Sequence, residues 1–473
     1  MKPNRQFICL LSLVLLLPGC REEESSSVPD PVTDQLIAAV TVDDDPQNVL
    51  RKTVTVQLRE AGDVCVEFWK PGEEQRTRRI ESSTESPEHR IKLIIMEAES
   101  SYTLRITATS GDLVEQEISD FKTGELPEDC IEATNLLPDF NYAFDGYIHV
   151  GDKASGTLYL LNDKGRVVWY EPTFGKSVIC SNYDRRTQSF QAIIGFNPDE
   201  NFTGERVLVV DLYGNILMNK AHTELENPYF HHDILMTPSG EILLINQVRE
   251  EFDLRAFGGS ANECIHGDGI TCMDLDGNVR WRWSAFEVMT PEEDPDIFEN
   301  DPEFQYPNNE DWLHANSLWR DEAGNIYISF NKLSQVWKLD PERRLVYRMG
   351  RQGTITLDDE TNFSDRQHGI SITSEGELML FDNGYTNKRS RALAYRIDEQ
   401  NRTARTVIRY DIPKEDFSPN QSSVYRIDAE RMIYASTVAS TVGITDNYGN
   451  LKWRYHLSAP IFRAIYIDQI QHL

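Results

Sequence analysis

Cysteine and histidine are scarce in this chain of 473 residues, with seven and ten copies respectively. No two cysteines form a CxxC pair, which argues against a structural zinc site. Neither a GxSxG nor a P-loop segment occurs, so serine-hydrolase and nucleotide chemistry find no support. Basic side chains are outnumbered, 47 Lys and Arg against 77 Asp and Glu, for a formal charge of −30 without a basic cluster. This balance argues against nucleic acid and anionic lipid as partners, and makes any anion site a local exception to the field of the whole molecule. Acidic pairs such as Asp294 and Asp296 are common, but at this composition they read as solvated loop and give no support to a glycosidase. The apolar run FICLLSLVLLL near the N-terminus is too short for a comfortable membrane span.

That run follows Lys2 and Arg5 and ends in Leu17-Pro18-Gly19-Cys20, the pattern of a secretory signal closed by a lipobox. The expectation is a signal peptide over 1–19, a lipid anchor on Cys20 and a polar tether over 20–35. Arg21-Glu22-Glu23-Glu24 resembles the export signal of surface lipoproteins in some Gram-negative bacteria. An outer-membrane lipoprotein, facing the periplasm or the cell surface, is therefore expected. Five cysteines then remain, an odd number for an oxidising compartment. Cys264 and Cys272, flanking the glycine-containing stretch from Ile265 to Thr271, are the expected disulfide, a clamp on a long loop.

Residues 36–125 carry short alternating runs at Thr53 to Leu58, Val64 to Trp69, Arg90 to Met96, Tyr102 to Thr109 and Val114 to Phe121. Their length and spacing predict a small immunoglobulin-like β-sandwich. Tyr102 to Ile106 resembles the tyrosine-corner strand of fibronectin type III modules. Residues 130–473 repeat an Asp turn followed by a returning strand, at Asp163, Asp211, Asp274, Asp340, Asp398 and Asp446. The spacings of 48, 63, 66, 58 and 48 residues suit one four-stranded blade each, and predict a six-bladed β-propeller. The Asp should bind turn amides, and the Trp or Tyr that follows should pack between blades. The long stretches Glu250 to Thr271 and Glu287 to Asp311 read as rims or lids.

Four of the ten histidines fall in related places: His231 and His232 in FHHDI, His314 in DWLHANSL, and His368 in QHGI. His232 and His368 each stand eight residues before a Gly (Gly240, Gly376), and His314 stands ten before Gly324. In a propeller these positions face one another across the axis. Three imidazoles brought together permit two chemistries. Neutral rings bind zinc or copper. Alternatively, one ring is a nucleophile and its neighbours donate hydrogen bonds, with Asn316 on the same strand face as His314.

FHHDI, DWLHANSL, QHGI followed by FDNG, and Ser390-Arg391-Ala392-Leu393 resemble the bacterial arylsulfate sulfotransferases, over essentially the whole mature chain. The resemblance implies a six-bladed propeller that moves a sulfuryl group from an aryl sulfate donor to a phenolic acceptor without a nucleotide or other cofactor. It implies that His368 becomes a sulfohistidine in a ping-pong cycle. His314 and His232 then polarise the sulfuryl oxygens or shuttle the phenolic proton, with His231 and Asn316 in the substrate site. One position departs from the pattern. Where the family usually has an Arg, this chain has Asn331, a weaker anion clamp by about 1–2 kcal/mol. Lys332 beside it would, in a strand, point to the opposite face. The competing expectation is a propeller whose three histidines hold a metal or another ligand.

Overall fold

The computed structural model describes residues 35–83, 86–198, 203–227, 229–257, 259–292 and 311–470. The signal peptide, Cys20 and most of the tether therefore lie outside the described residues, as do 293–310 of the acidic insertion. Among the described residues the chain is all-β, its strands joined by turns and six short 3-10 turns.

The first seven strands are β1 (Ile37–Asp45), β2 (Asn48–Leu58), β3 (Asp63–Trp69), β4 (Arg78–Ser83), β5 (Glu88–Leu93), β6 (Ser101–Ser110) and β7 (Leu113–Lys122). They form two sheets, β1-β2-β5 and β4-β3-β6-β7. Alternation puts Val54 and Val56 of β2, Val64, Val66 and Phe68 of β3, and Tyr102, Leu104 and Ile106 of β6 into one apolar cluster. The Tyr102 hydroxyl accepts a hydrogen bond from the Glu97 amide at 2.8 Å, the tie of a tyrosine corner. Two strands escaped the sequence pattern. β1 and β4 are sheet edges with little buried surface, so polarity runs through them unbroken.

Six further sheets follow. The short β8 (Ala133–Asn135) precedes β9 (Tyr147–Asp152), β10 (Thr157–Leu161) and β11 (Val167–Pro172). Next come β12 (Val178–Asp184), β13 (Ser189–Phe196), β14 (Gly204–Asp211) and β15 (Ile216–Ala221). The third sheet is β16 (Phe230–Met236), β17 (Ile242–Phe252), β18 (Glu263–Met273) and β19 (Val279–Ser284). The fourth is β20 (Ala315–Arg320), β21 (Ile326–Phe330), β22 (Gln335–Leu339) and β23 (Leu345–Gly350). β24 (Thr356–Leu357) edges the fifth, which is β25 (His368–Ile372), β26 (Leu378–Asp382), β27 (Arg391–Asp398) and β28 (Thr403–Asp411). The sixth is β29 (Ser423–Arg426), β30 (Arg431–Ser436), β31 (Thr441–Asp446) and β32 (Leu451–Leu457). The last strand, β33 (Ile461–Ile467), pairs with β9 and completes the first sheet, while β8 adds to the outer edge of the sixth. The ends of this region are thus stitched into each other's sheets.

The innermost strands adjoin in cyclic order: β33, β12, β16, β20, β25, β29 and back to β33. Outer turns lock neighbours together. Asp211 Oδ1 accepts from the Tyr213 and Asn215 amides, Asp274 Oδ1 from Asp276 and Asn278, and Asp446 Oδ1 from Tyr448 and Asn450. In the first repeat the acceptor is Asn162 rather than Asp163, which instead takes Arg76 of the preceding sheets. The aromatic that follows reaches to the next sheet: Trp169 Nε1 donates to the Leu212 carbonyl and Trp453 Nε1 to that of Asp163, both at 2.7 Å.

The expected disulfide is absent. Cys264 and Cys272 are both free thiols on one extended strand, β18, about 26 Å apart at the usual rise of a strand. Glu250 to Thr271 is only in part a loop: β17 and β18, paired continuously from Ile242↔Met273 to Phe252↔Glu263, run on past the four-stranded sheet as a two-stranded arm before residues 253–262 connect them. Two thiols on one strand cannot approach each other.

Candidate active site

The three histidine strands share a backbone irregularity that aims the rings. The β16–β17 register shifts between His231 and Ile234, that of β20–β21 between Ala315 and Ser317, and that of β25–β26 between His368 and Ser371. Such bulges turn a side chain out of the sheet's alternation. His232 and His314 take φ values of 53° and 56°, a left-handed conformation uncommon for a residue with a Cβ. In the fifth sheet the positive φ falls on Gly369, where an added Cβ would stand 2.7 Å from the Ser423 Cα. Each of the three inner strands thus carries a left-handed residue where its imidazole emerges.

The rings meet. His232 lies 4.7 Å, centroid to centroid, from His314 and 5.0 Å from His231. His231 Nε2 stands 3.2 Å from Asp268 Oδ1, and its Nδ1 stands 2.8 Å from His232 Nδ1. His314 Nδ1 stands 2.5 Å from Asp311 Oδ2. His368, only 2 % exposed, has Nδ1 at 2.8 Å from Asn383 Oδ1, and its Nε2 accepts from the Gln421 amide at 3.2 Å. The tautomer of His368 follows from its partner. Asn383 Nδ2 donates to the Ser418 and Gln421 carbonyls, so its Oδ1 faces the ring as an acceptor. Nδ1 must then carry the hydrogen, and Nε2 the lone pair.

Charge is distributed unevenly over the cluster. Burial pushes His368 down to about 3, helped by the charge of His314 and opposed by the Asn383 hydrogen bond. Burial, with the neighbouring imidazoles, also holds His232 well below its ordinary value. His314 goes the other way: burial opposes its charge, but the Asp311 carboxylate, with help from Asp268, more than offsets this and raises it. Asp311 is held far below the usual carboxylate range by His314 and Lys332, against the push of burial. At neutral pH the cluster therefore holds neutral rings at His368 and His232 beside the ring that most readily carries a proton.

The other expected residues fare differently. Asn316 is fully buried and donates through Nδ2 to the Gln367 carbonyl at 2.8 Å, so it braces the strand that carries His368. Asn331 donates to the Arg366 carbonyl at 3.2 Å. Lys332 corrects the strand argument: residues 331–334 form a turn, and its ammonium donates to the Asp311 carbonyl at 2.6 Å, on the His314 side. Sequence reasoning missed Asp268, Asp311, Asn383 and Gln421. Among 77 acidic residues no single carboxylate stands out; Asp268 reaches His231 from β18 of the same sheet, Asn383 reaches His368 from the end of β26, and Gln421 arrives from the segment before β29. Two carried a signal: Asn383, the Asn of FDNG two residues after Phe381, which pairs with His368, and Asp311, which opens DWLHANSL three residues before His314.

A separate cleft of about 490 Å3 lies between the first two sheets and the β9–β11 sheet, lined by Lys70, Arg76, Glu97 and Asn162 among others. Several of the charges in and beside it are paired, Lys70 and Arg166 with Glu97 and Arg76 with Asp163.

An all-β protein with a buried cluster of four imidazoles, three of them oriented by a carboxylate or an amide and the fourth, His232, by the ring of His231, can carry out group transfer or proton transfer. The chain belongs to the arylsulfotransferase (ASST) family, whose model matches residues 135–459. Membership implies an enzyme acting on aryl sulfates and phenols. No curated protein matches the chain. Among solved structures, a protein of unknown function from Bacteroides caccae is 10% identical, with 69% of this chain and 100% of that one covered, at a TM-score of 0.43. Virginiamycin B lyase from Staphylococcus aureus is 13% identical, covering 68% and 87%, at a TM-score of 0.35. Superpositions this loose do not define a shared fold.

Proposed function

We propose that the protein transfers a sulfuryl group from an aryl sulfate to a phenol through a sulfohistidine at His368, without a nucleotide. The observation that carries the reading is the Asn383 amide, which leaves the Nε2 lone pair of a neutral, buried imidazole as the nucleophile. In the first half-reaction Nε2 attacks sulfur. The bond from sulfur to the aryl oxygen breaks, and its electron pair leaves with that oxygen. His314, raised by Asp311, supplies the proton that makes the departing oxygen a phenol. In the second half the acceptor phenol gives its proton to His314 or to His232, kept neutral by burial. The phenolic oxygen attacks sulfur, and the N–S electron pair returns to His368. Nδ1–H stays bonded to Asn383 throughout, so the ring keeps one orientation. Exposed Phe174 and Val438, in loops, and Phe196, at the end of β13, lie at the end of the sheets where the histidine strands begin and offer apolar surface to an aryl ring.

We read the six sheets as a six-bladed β-propeller over about 130–473, supported by the cyclic contacts of the inner strands and the pairing of β33 with β9. The two earlier sheets, over about 36–125, we read as a β-sandwich. Among the described residues no helix is long and apolar enough to cross a membrane. We assign membrane attachment to lipid on Cys20, with the protein at the outer membrane. The rival metal-site reading is less favoured: among the described residues no three His, Cys, Asp or Glu side chains are arranged to hold a metal ion.

The test is turnover of a chromogenic aryl sulfate with phenol as acceptor. Activity should survive a chelator and vanish in a folded His368→Ala variant. Retained turnover in that variant would refute the nucleophile, and loss on chelation would favour the metal.

A further inference from the structure

Four cations lie near the histidines, and three are already engaged. Arg463, 3 % exposed, lies 2.9 Å from the Asp233 carboxylate. Lys332 is bonded to Asp311. The Arg366 guanidinium stacks on Tyr385 at 4.4 Å. Lys153, in the hairpin between β9 and β10, differs from all three. Among the described residues it makes no ion pair, and the neighbouring Asp152 carboxylate is occupied by the Ala154 amide and the Ser155 hydroxyl. Its ammonium donates only to Gln421 Oε1, at 2.5 Å, and the amide of that same Gln421 bonds His368 Nε2. The charge of Lys153 also reaches His232. Burial without a counter-charge pushes its ammonium below the usual lysine range.

We propose that Lys153 binds the sulfuryl oxygens of the donor and of the His368 adduct, supplying from the first sheet the cation that position 331 lacks. The proposal rests on the sulfuryl-transfer reading. A half-buried ammonium held by one neutral amide oxygen gains by exchanging that oxygen for an anionic one. The exchange is local. Once sulfur occupies Nε2, the Gln421 amide has lost its acceptor there and is free to donate to a sulfuryl oxygen. Lys153, one side chain away, then releases Gln421 Oε1 for a second oxygen. Both donors hold the anionic sulfuryl oxygens in place while the electron pair leaves with the aryl oxygen.

The test uses Lys153→Met, Lys153→Arg and Lys153→Met combined with Asn331→Arg. Calorimetry would follow binding of a non-transferable aryl sulfonate and of the uncharged phenol, alongside kcat/KM for the aryl sulfate. Lys153→Met should weaken the sulfonate by roughly 10- to 100-fold, as expected for a lost charged hydrogen bond, lower kcat/KM at least as much, and leave phenol binding unchanged. Lys153→Arg should retain most of both, and the added arginine at 331 should restore part. Sulfonate affinity and kcat/KM at the wild-type level in folded Lys153→Met would overturn the proposal, as would equal weakening of sulfonate and phenol. Should Lys153→Met not fold, Lys153→Gln replaces it with the same readouts. A wild-type protein that binds sulfonate through Lys153 yet turns over no aryl sulfate would sink the reaction instead, leaving the anion site standing.

Discussion

At His368 the neighbour that decides the chemistry is an amide. Asn383 donates to two carbonyls and so can only accept from the ring, which fixes the tautomer without adding charge. A carboxylate in its place would favour imidazolium and cost the lone pair. Asn383→Leu should therefore fold but lose about 10²-fold or more in kcat, the range for misplacing an acid–base group; unchanged kcat would remove Asn383 from the account. His314 gives a pH test. Its pKa is raised, so the proton it supplies is present at low pH and lost as pH rises through a value above the ordinary 6.5. The alkaline limb of kcat should follow that loss, and Asp311→Asn should move the limb to lower pH. A limb that stays put, or moves up, would contradict the role of His314. The histidines were legible because they are scarce and recur before a Gly. Their partners were less so: Asp311 and Asn383 stand in the same motifs as the rings they face, but nothing in the sequence says that they touch them, and Asp268 reaches His231 only through the pairing of β17 with β18.

The element that matters most is the bulge at the start of the inner strands. The sequence suggests that the apolar runs after the histidines, Ile242 to Ile245 and Leu378 to Phe381, are the inner strands; they are the second strands β17 and β26, and the histidines lie on or immediately before the inner strands themselves. Nor does the sequence show the register shift, because a bulge alters geometry without altering composition. Gly369 is the exception, being the residue type a positive φ of 57° favours. Gly369→Ala should lower the melting temperature and, by shifting the backbone against Ser423, reduce kcat as well. Full stability and activity in that variant would show that the contact relaxes freely. The Asp turns were the most legible feature of all, since acceptor, turn and following strand are local in sequence, although in the first repeat the acceptor is Asn162 rather than Asp163. The long β17–β18 arm was the least. Its two glycines, Gly267 and Gly269, imitate a loop, yet both sit in the paired strand β18, with Gly267 against the Phe286 ring and Gly269 against the Trp283 carbonyl.

Across the whole molecule, buried neutral imidazoles make stability depend on pH. Burial holds both His149 and His368 at about 3, while an unfolded histidine titrates near 6.5. Their contribution is complete above about 6.5, and is lost as pH falls toward 3, because the unfolded chain binds protons that the folded chain refuses. Each ring can cost up to about 1.4 kcal/mol per pH unit in that window. His232, also held down by burial, acts in the same direction, and His314, with a raised value, has the opposite sign and is one ring against three. The melting temperature should thus fall between pH 7 and pH 5, and less steeply in His149→Gln; an unchanged slope would show that His149 is not held neutral. The first two sheets belong to the same accounting of stability. Ile94 and Ile95 pack into the cluster of Val168 and Trp169, and Asn48 and Met96 bond the carbonyls of Tyr170 and Val168. Removing residues 36–121 should leave the six sheets folded but less stable.

The most direct test of the central claim is to mix the protein with an aryl sulfate in the absence of any acceptor, stop the reaction at alkaline pH and map the modified peptide by mass spectrometry. The account predicts one equivalent of phenol released in a burst and a single SO3 group on the peptide containing His368. No burst with an unmodified protein, or an SO3 group on any other side chain, would contradict it.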